Sequence, residues 1–280
     1  MKPFLTLIRA QNLVLVVLSQ ALVQACLLAA GVNWEKVLEP GFLALTFSTV
    51  CIAAAGYIIN DYYDVKIDAI NKPDRLLVGR IIRRRRAMFA HLILSFVGVA
   101  VGTLLMVRVG LINLGAVLLL WGYSARLKKL LLIGNVAIAL LSASMLLVVA
   151  VYNDMLNKTT LGYALFAFLI SLIREIIKDI EDMKGDASFD CRTLPIVAGM
   201  RGAKYVLYPL IAIFQVVLVA AILHPSTPLI FDTYMLVLVL APSIWMVVKL
   251  VRSDRKADFS YLSNLNKLIM LMGILSMLWV

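Results

Sequence analysis

Apolar residues gather into nine runs separated by short polar stretches, at about 11–31, 41–60, 87–107, 110–125, 133–152, 161–178, 205–224, 229–250 and 262–280. Most approach or exceed the roughly 20 residues an α-helix needs to cross a hydrocarbon core. No water is present there to satisfy backbone N–H and C=O groups, so each run is expected to be helical throughout. The fourth run is short and contains Gly110 and Gly115. The first has no convincing small-residue cleavage site and reads as an anchor, not a cleaved leader. The pattern predicts an all-α integral membrane protein with nine transmembrane helices, one domain over residues 1–280.

Charge placement supports the count. When the loops are assigned alternately to the two sides, 24 of the 27 Lys and Arg fall on one side, and only Lys36, Arg108 and Lys158 on the other. By the positive-inside rule the N-terminus is then cytoplasmic and the C-terminus outside. Composition agrees, with 62% hydrophobic residues and a mean hydropathy of +0.96, far from an ordinary soluble domain. The net charge of +11 is accordingly a signal for topology and lipid headgroups, not for nucleic acid. The run Arg83–Arg86 abuts the third apolar run and reads as a membrane anchor. Cys26, Cys51 and Cys191 are scattered, without the spacing of a zinc site or a disulfide framework. His91 and His224 stand alone.

Two acidic clusters stand out against this background. Asp61, Asp64 and Asp68 follow a D-x-x-D-x-x-x-D spacing, and Asp179, Asp182 and Asp186 repeat it. On a helix, offsets of three and seven residues lie within roughly 60° of each other, so each triad shares one face. An ordinary solvated turn accounts for one such cluster but poorly for two with the same internal spacing. Like charges at the mouth of an apolar helix repel and lose hydration, so each triad calls for a cation. Magnesium carrying a diphosphate fits, because it takes hard oxygen ligands and substrate phosphates. Arg75, near the first triad, together with Lys128 and Lys178, can complement the remaining diphosphate charge. Gly185 is expected to break the helix before Asp186. The triads begin 118 residues apart, which suggests duplication of a four-helix unit over about 1–130 and 131–260, with a final helix added.

Other positions keep two readings. Arg9 can snorkel to the headgroups or line a cavity. Asn12, entering an apolar helix, serves either as helix–helix glue or as a substrate contact. Trp121 and Tyr123 also suit an interfacial aromatic belt.

Taken together, Asn60-Asp61-x-x-Asp64-x-x-x-Asp68-x-x-Asn71, Lys72-Pro73-x-Arg75, Tyr123-Ser124 with Lys128, the second triad and Thr193-Leu194-Pro195 resemble the UbiA superfamily of intramembrane prenyltransferases. The likeness covers nearly the whole chain. It implies nine helices around a central cavity, with both acid motifs facing each other under a cytoplasmic cap. It also implies a prenyl diphosphate bound through Mg2+ and a prenyl group passed to a lipophilic acceptor. Asn60, Asp61, Asp64, Asp179 and Asp182 would then serve the metal, with Asp68 and Asp186 beside them. Asn71, Lys72, Arg75, Lys128 and Lys178 would serve the diphosphate. Arg9, Asn12, Tyr62, Tyr63 and Tyr123 would line the cavity, where aromatic faces can stabilise an allylic cation.

Arg174–Asp182 is most similar to digeranylgeranylglyceryl phosphate synthase-like members, which implies geranylgeranyl diphosphate as donor and the hydroxyl of geranylgeranylglyceryl phosphate as acceptor. The chain departs from family usage at Ala10, where Pro follows the Arg, at Leu76, where Pro is frequent, and at Val78-Gly79 in place of Ser-Gly. An aromatic acid or quinone precursor is the alternative acceptor. An ion-coupled transporter is the more distant alternative, since intramembrane acids and repeats also mark carriers, but carrier sites lie near the bilayer midplane. No obligate protein partner is indicated.

The charge split makes the topology testable. Reporter fusions after Lys66 and after Lys184 are both expected to report the cytoplasm, and a signal from the opposite side at either position would sink the nine-span orientation.

Overall fold

A computed structural model describes residues 2–28, 31–71, 73, 76–189, 191–225 and 227–280, without the side chains of Lys2 and Pro3. Among these residues the chain is helical, and the one bridge of β type joins Val78 to Ile82 in a tight turn. The helices are α1 (Lys2–Leu7), α2 (Ala10–Leu22), α3 (Pro40–Asn71), α4 (Arg84–Leu105), α5 (Val107–Ala125) and α6 (Ile133–Tyr152). They continue as α7 (Lys158–Ala187), α8 (Leu194–Ile222), α9 (Leu229–Met235), α10 (Ala241–Arg252) and α11 (Lys256–Leu275). π-helical turns extend α2 through Leu27 and join α9 to α10, so that among the described residues nine helical stretches are long and apolar enough to cross a membrane.

The apolar runs therefore mark the helices, but not their ends. α3 continues past 60 to Asn71, and α7 past 178 to Ala187. Hydropathy stops at the membrane boundary, whereas the i→i−4 hydrogen-bond ladder continues for as long as residues tolerate helical backbone. The break expected at Gly185 does not occur, and Asp186 lies on α7 with the rest of its triad. One glycine costs a helix about 1 kcal/mol, too little to stop a thirty-residue helix held by its packing. α8 has its irregularity early, at Gly199, where φ of 72° and ψ of 169° kink the chain.

The chain forms two compact units, Met1–Lys128 with Ser144–Thr160, and Lys129–Ala143 with Leu161–Val280. In the first, α3 packs against α2, α4 and α5. Between membrane helices there is little hydrophobic driving force, so close approach and internal hydrogen bonds must hold the contact. At Gly98 of α4, a Cβ would stand 2.6 Å from Ile52 Cγ1 and 2.9 Å from the Ser48 carbonyl oxygen. Asn113 of α5 uses the same gap, its Nδ2 donating to the Gly98 carbonyl at 3.1 Å and to Ser48 Oγ at 3.2 Å. Gln20 Nε2 donates to Thr49 Oγ1 and to the Met145 carbonyl, and Gln24 pairs with Asn153. These amides tie α2, α3 and the second half of α6 into one piece.

The second unit has a conventional apolar core. Ile170, Ile173, Ile176 and Ile177 of α7 are fully buried with Phe214 of α8 and Phe259 of α11. The spacing of these isoleucines, at steps of three and four, is the helical period that places them on one face. Outward residues stay apolar, as with Phe96 at 74% exposure and Leu104 at 87%, which is what a lipid-facing surface requires.

Gly98→Leu tests the α3–α4 contact. The new Cβ meets backbone that cannot rotate away, so the helices must part, with an expected loss of about 1–3 kcal/mol. Thermal unfolding in detergent reads this as a lower midpoint, and an unchanged midpoint would contradict the close approach.

Candidate active site

In the first unit, Tyr57, Asp61, Asp64 and Asp68 recur at steps of four, three and four along α3 and so share a face. Two cations reach that face. Arg9 NH2 lies 3.0 Å from Asp61 Oδ1, and the guanidinium sits 4.9 Å above the Tyr57 ring. Lys128, in the short 3-10 turn Leu127–Lys129, pairs with Asp64, whose side chain is 14% exposed against 12% for the lysine.

Arg9 is held there by its backbone. It stands between α1 and α2 in the left-handed region, at φ 50° and ψ 55°. For a residue with a Cβ that conformation costs roughly 1–2 kcal/mol, and such outliers persist where the surroundings over-determine them. Here α1 is fixed by Leu7, fully buried in a cluster with Ile58, Val78 and Ala87. Desolvation works against the Arg9 charge, but the Asp61 carboxylate and Tyr57 outweigh it, and its pKa is raised above the ordinary value. Asn12 is half-buried one turn further on, its N–H bonded to the Arg9 carbonyl at 2.8 Å.

The aromatic candidates are engaged beside this face. Tyr62 lies under the Arg84 guanidinium at 4.5 Å and meets Tyr63 edge-on. Tyr63 accepts a hydrogen bond from Trp121 Nε1 at 3.3 Å. Tyr123 is half-buried in the last turns of α5, Asn60 is half-buried beside Asp61, and Asn71 is buried at the end of α3. Lys72 and Arg75 lie outside the described residues.

In the second unit, α7 carries Glu175, Lys178, Asp179, Asp182 and Asp186. Asp179 Oδ2 accepts from Asn135 Nδ2 at 2.8 Å, an amide buried at the start of α6. Glu175, also buried, takes Arg174 at 2.9 Å and Lys178 at 3.9 Å. The chain after α7 is fastened by Lys129, whose carbonyl accepts the Arg192 N–H at 2.8 Å and whose Nζ donates to the Phe189 carbonyl at 3.4 Å.

Tyr57, Asn135 and Glu175 had no assigned role in the sequence. Tyr57 could have been found as the i−4 neighbour of Asp61. Asn135 is far from Asp179 in sequence and carries no spacing that announces their meeting.

Among the described residues, no three His, Cys, Asp or Glu side chains converge into a ready-made metal cage. Magnesium does not need one. It uses one or two carboxylates, keeps several waters and takes the rest of its shell from substrate phosphates. The oxygen-only donors on α3 suit that ion, as do those on α7 taken by themselves, and Asp61 and Asp64 each lie beside a cation.

Substitutions test whether the acids act as ligands and the Asn135 amide as a support. Asp64→Asn and Asp182→Asn are each expected to lower magnesium-dependent diphosphate release by about a thousandfold or more, with the protein still folded. Asn135→Leu, which removes a positioning donor, is expected to lower it by about ten- to a hundredfold. Full release by Asp64→Asn would take the α3 acids out of the chemistry.

Comparison with known proteins agrees with the geometry. The model of the UbiA prenyltransferase family matches residues 17–268. A digeranylgeranylglyceryl phosphate synthase from Methanothermobacter thermautotrophicus is 34% identical over 275 residues, covering 95% of this chain and 92% of its own. One from Pyrococcus abyssi is 39% identical over 184 residues, 64% of this chain, and the match spans 65% of that relative's length. A structure solved for digeranylgeranylglyceryl phosphate synthase in membranes aligns with a TM-score of 0.74 at 25% identity, over 100% of this chain and 99% of that one. A UbiA homolog from Archaeoglobus fulgidus, solved with GPP and Mg2+, has the same fold, with a TM-score of 0.66 at 16% identity over 99% of this chain and 100% of that one. With acid triads on α3 and α7 and nine membrane-length helices, the chain is an integral membrane protein and belongs to the UbiA prenyltransferase family.

Proposed function

We propose that this protein transfers the geranylgeranyl group of geranylgeranyl diphosphate to the hydroxyl of geranylgeranylglyceryl phosphate, with Mg2+ as cofactor. The observation that carries the reading is the pairing of Asp61 with Arg9 and of Asp64 with Lys128 on a membrane helix whose chain matches digeranylgeranylglyceryl phosphate synthases along most of its length. A cation beside each carboxylate is what a site for a metal-borne polyanion requires, since diphosphate on one magnesium still carries excess negative charge.

Bound magnesium would shield the diphosphate and so favour its departure with the electron pair of the allylic C–O bond. The chain's own residues do the rest. In the first unit Asp61 and Asp64, with Asn60 and Asp68 on the same helix, and in the second unit Asp179 and Asp182, with Asp186, would each offer hard oxygen donors to the metal. Lys128, Lys178, Lys72 and Arg75 would supply positive charge to the diphosphate, and Asn71 an amide hydrogen bond. Arg9, moored on Asp61, and Asn12, one turn away, border the acceptor side. Tyr62, Tyr63 and Tyr123 offer ring faces to the developing allylic cation. Lipid-facing helices exclude water, which would otherwise capture that cation. The acceptor oxygen then bonds to the allylic carbon and its proton is released.

The Lys and Arg distribution supports a cytoplasmic N-terminus, an outside C-terminus and an active site toward the cytoplasm. The repeated triads support descent from a duplicated four-helix unit.

The deciding experiment gives purified protein geranylgeranyl diphosphate, Mg2+ and one acceptor at a time, with mass spectrometry of the lipid extract. A diether phosphate is expected from the glycerol phosphate acceptor, and none in excess EDTA. A prenylated arene with no reaction on the glycerol phosphate would overturn the acceptor. Full turnover in EDTA would overturn the metal.

A further inference from the structure

A groove of about 510 Å³ lies where α3 meets the start of α4. It is lined by Tyr62, Arg84, Arg85, Met88, Phe89 and Leu92. The order along α4 is informative. Arg84 and Arg85 stand at its first turn, and Met88, Phe89 and Leu92 follow at helical steps of three and four. One face of the helix thus passes from two cations to three apolar side chains over about 10 Å of helix rise. Phe89 and Leu92 are exposed, as lipid contacts are.

We propose that this groove is a binding site for one anionic phospholipid of the surrounding bilayer, its phosphate on Arg84 and Arg85 and its acyl chain along Met88, Phe89 and Leu92. Charge complementarity favours this occupant. No carboxylate is among the residues lining the groove, and Arg83 and Arg86 add positive charge on either side. Arg84 is also pre-organised. Its guanidinium stacks 4.5 Å from the centre of the Tyr62 ring, which fixes the plane and leaves the N–H edge for phosphate oxygens. A soluble phosphate would use the two arginines but not the apolar wall, whereas a neutral lipid would use the wall but not the arginines. Only an amphiphile that is anionic at one end uses both. The site differs from a diffuse basic surface because a groove of this volume can hold one lipid segment in a defined place. Its effect on the protein is to brace α4 against α3, the helix that carries the first acid triad.

Native mass spectrometry of the full-length protein in neutral detergent tests this, with phosphatidylglycerol, phosphatidylcholine of the same chains, and inorganic phosphate as separate probes. The wild-type protein is expected to retain one phosphatidylglycerol in preference to phosphatidylcholine. At roughly 1 kcal/mol per basic residue at an anionic lipid surface, each arginine lost should reduce that preference about fivefold. Arg84→Gln/Arg85→Gln should therefore nearly abolish it, while Arg201→Gln, a basic residue exposed on α8, should leave it intact. Arg85→Gln alone preserves the Arg84–Tyr62 stack and still lowers the preference, which keeps the test readable if the double variant does not fold. An undiminished preference in Arg85→Gln would overturn the site. So would equal losses in Arg85→Gln and Arg201→Gln, which would mean a diffuse field. Displacement of the lipid by millimolar inorganic phosphate would assign the arginines to a soluble anion instead.

Discussion

A carboxylate at the end of an apolar helix cannot stay ionised without compensation, and the described structure follows from that constraint. Removing a charge from water costs several kcal/mol unless a partner offsets it. Asp61 has Arg9, Asp64 has Lys128, and Glu175 has Arg174 and Lys178, while Asp179 accepts a hydrogen bond from the Asn135 amide. The partners of Asp61, Asp64 and Asp179 come from separate segments, so engaging these acids also fixes where those segments lie. The left-handed backbone at Arg9 is the clearest consequence. A conformation unfavourable to arginine is held because Leu7 anchors one side and Asp61 the other.

Under the proposed function the same cations would ready the site for a polyanion. A guanidinium and an ammonium already positioned beside carboxylates need little rearrangement to meet a metal-borne diphosphate. Preorganisation of this sort matters because charge must be stabilised at the moment it develops, not after the surroundings adjust. Lys128 is well suited, since it is nearly buried and set on a short turn between α5 and α6.

Other basic residues have structural partners away from the triads. Lys129 fastens the chain after α7 through Phe189 and Arg192. Lys204, buried on α8, reaches Asp254 at 3.1 Å, and Asp258 caps the start of α11 by accepting from the N–H groups of Asp254 and Arg255. The mixed-charge stretch before α11 therefore has a local structural use. Arg84 stacks on Tyr62 and, with that ring, shapes the groove at the start of α4.

How much was legible in the sequence follows from which forces are local. Helix identity was legible for all nine runs because lipid leaves the backbone no other way to satisfy its own polar groups, and because apolar length is a property of consecutive residues. The shared face of each triad was legible for the same reason, as a matter of helical period within one segment. Helix ends were not. Asp68 and Asp186 lie on helix beyond the apolar runs, and Gly185 does not interrupt α7, because the backbone ladder and packing outlast the hydropathy signal. Nor were the partners. Nothing in the order of residues says that Asn135 will meet Asp179, that Arg9 will turn left-handed to reach Asp61, or that Lys128 rather than Lys129 will pair with Asp64. Those are contacts between segments distant in sequence, chosen by the packing of helices and the need to compensate each buried charge. The sequence by itself determined the apolar spans and the shared face of each triad, since both depend on neighbours along the chain. Only the tertiary structure decided which cation or amide answers each carboxylate, because that depends on neighbours in space.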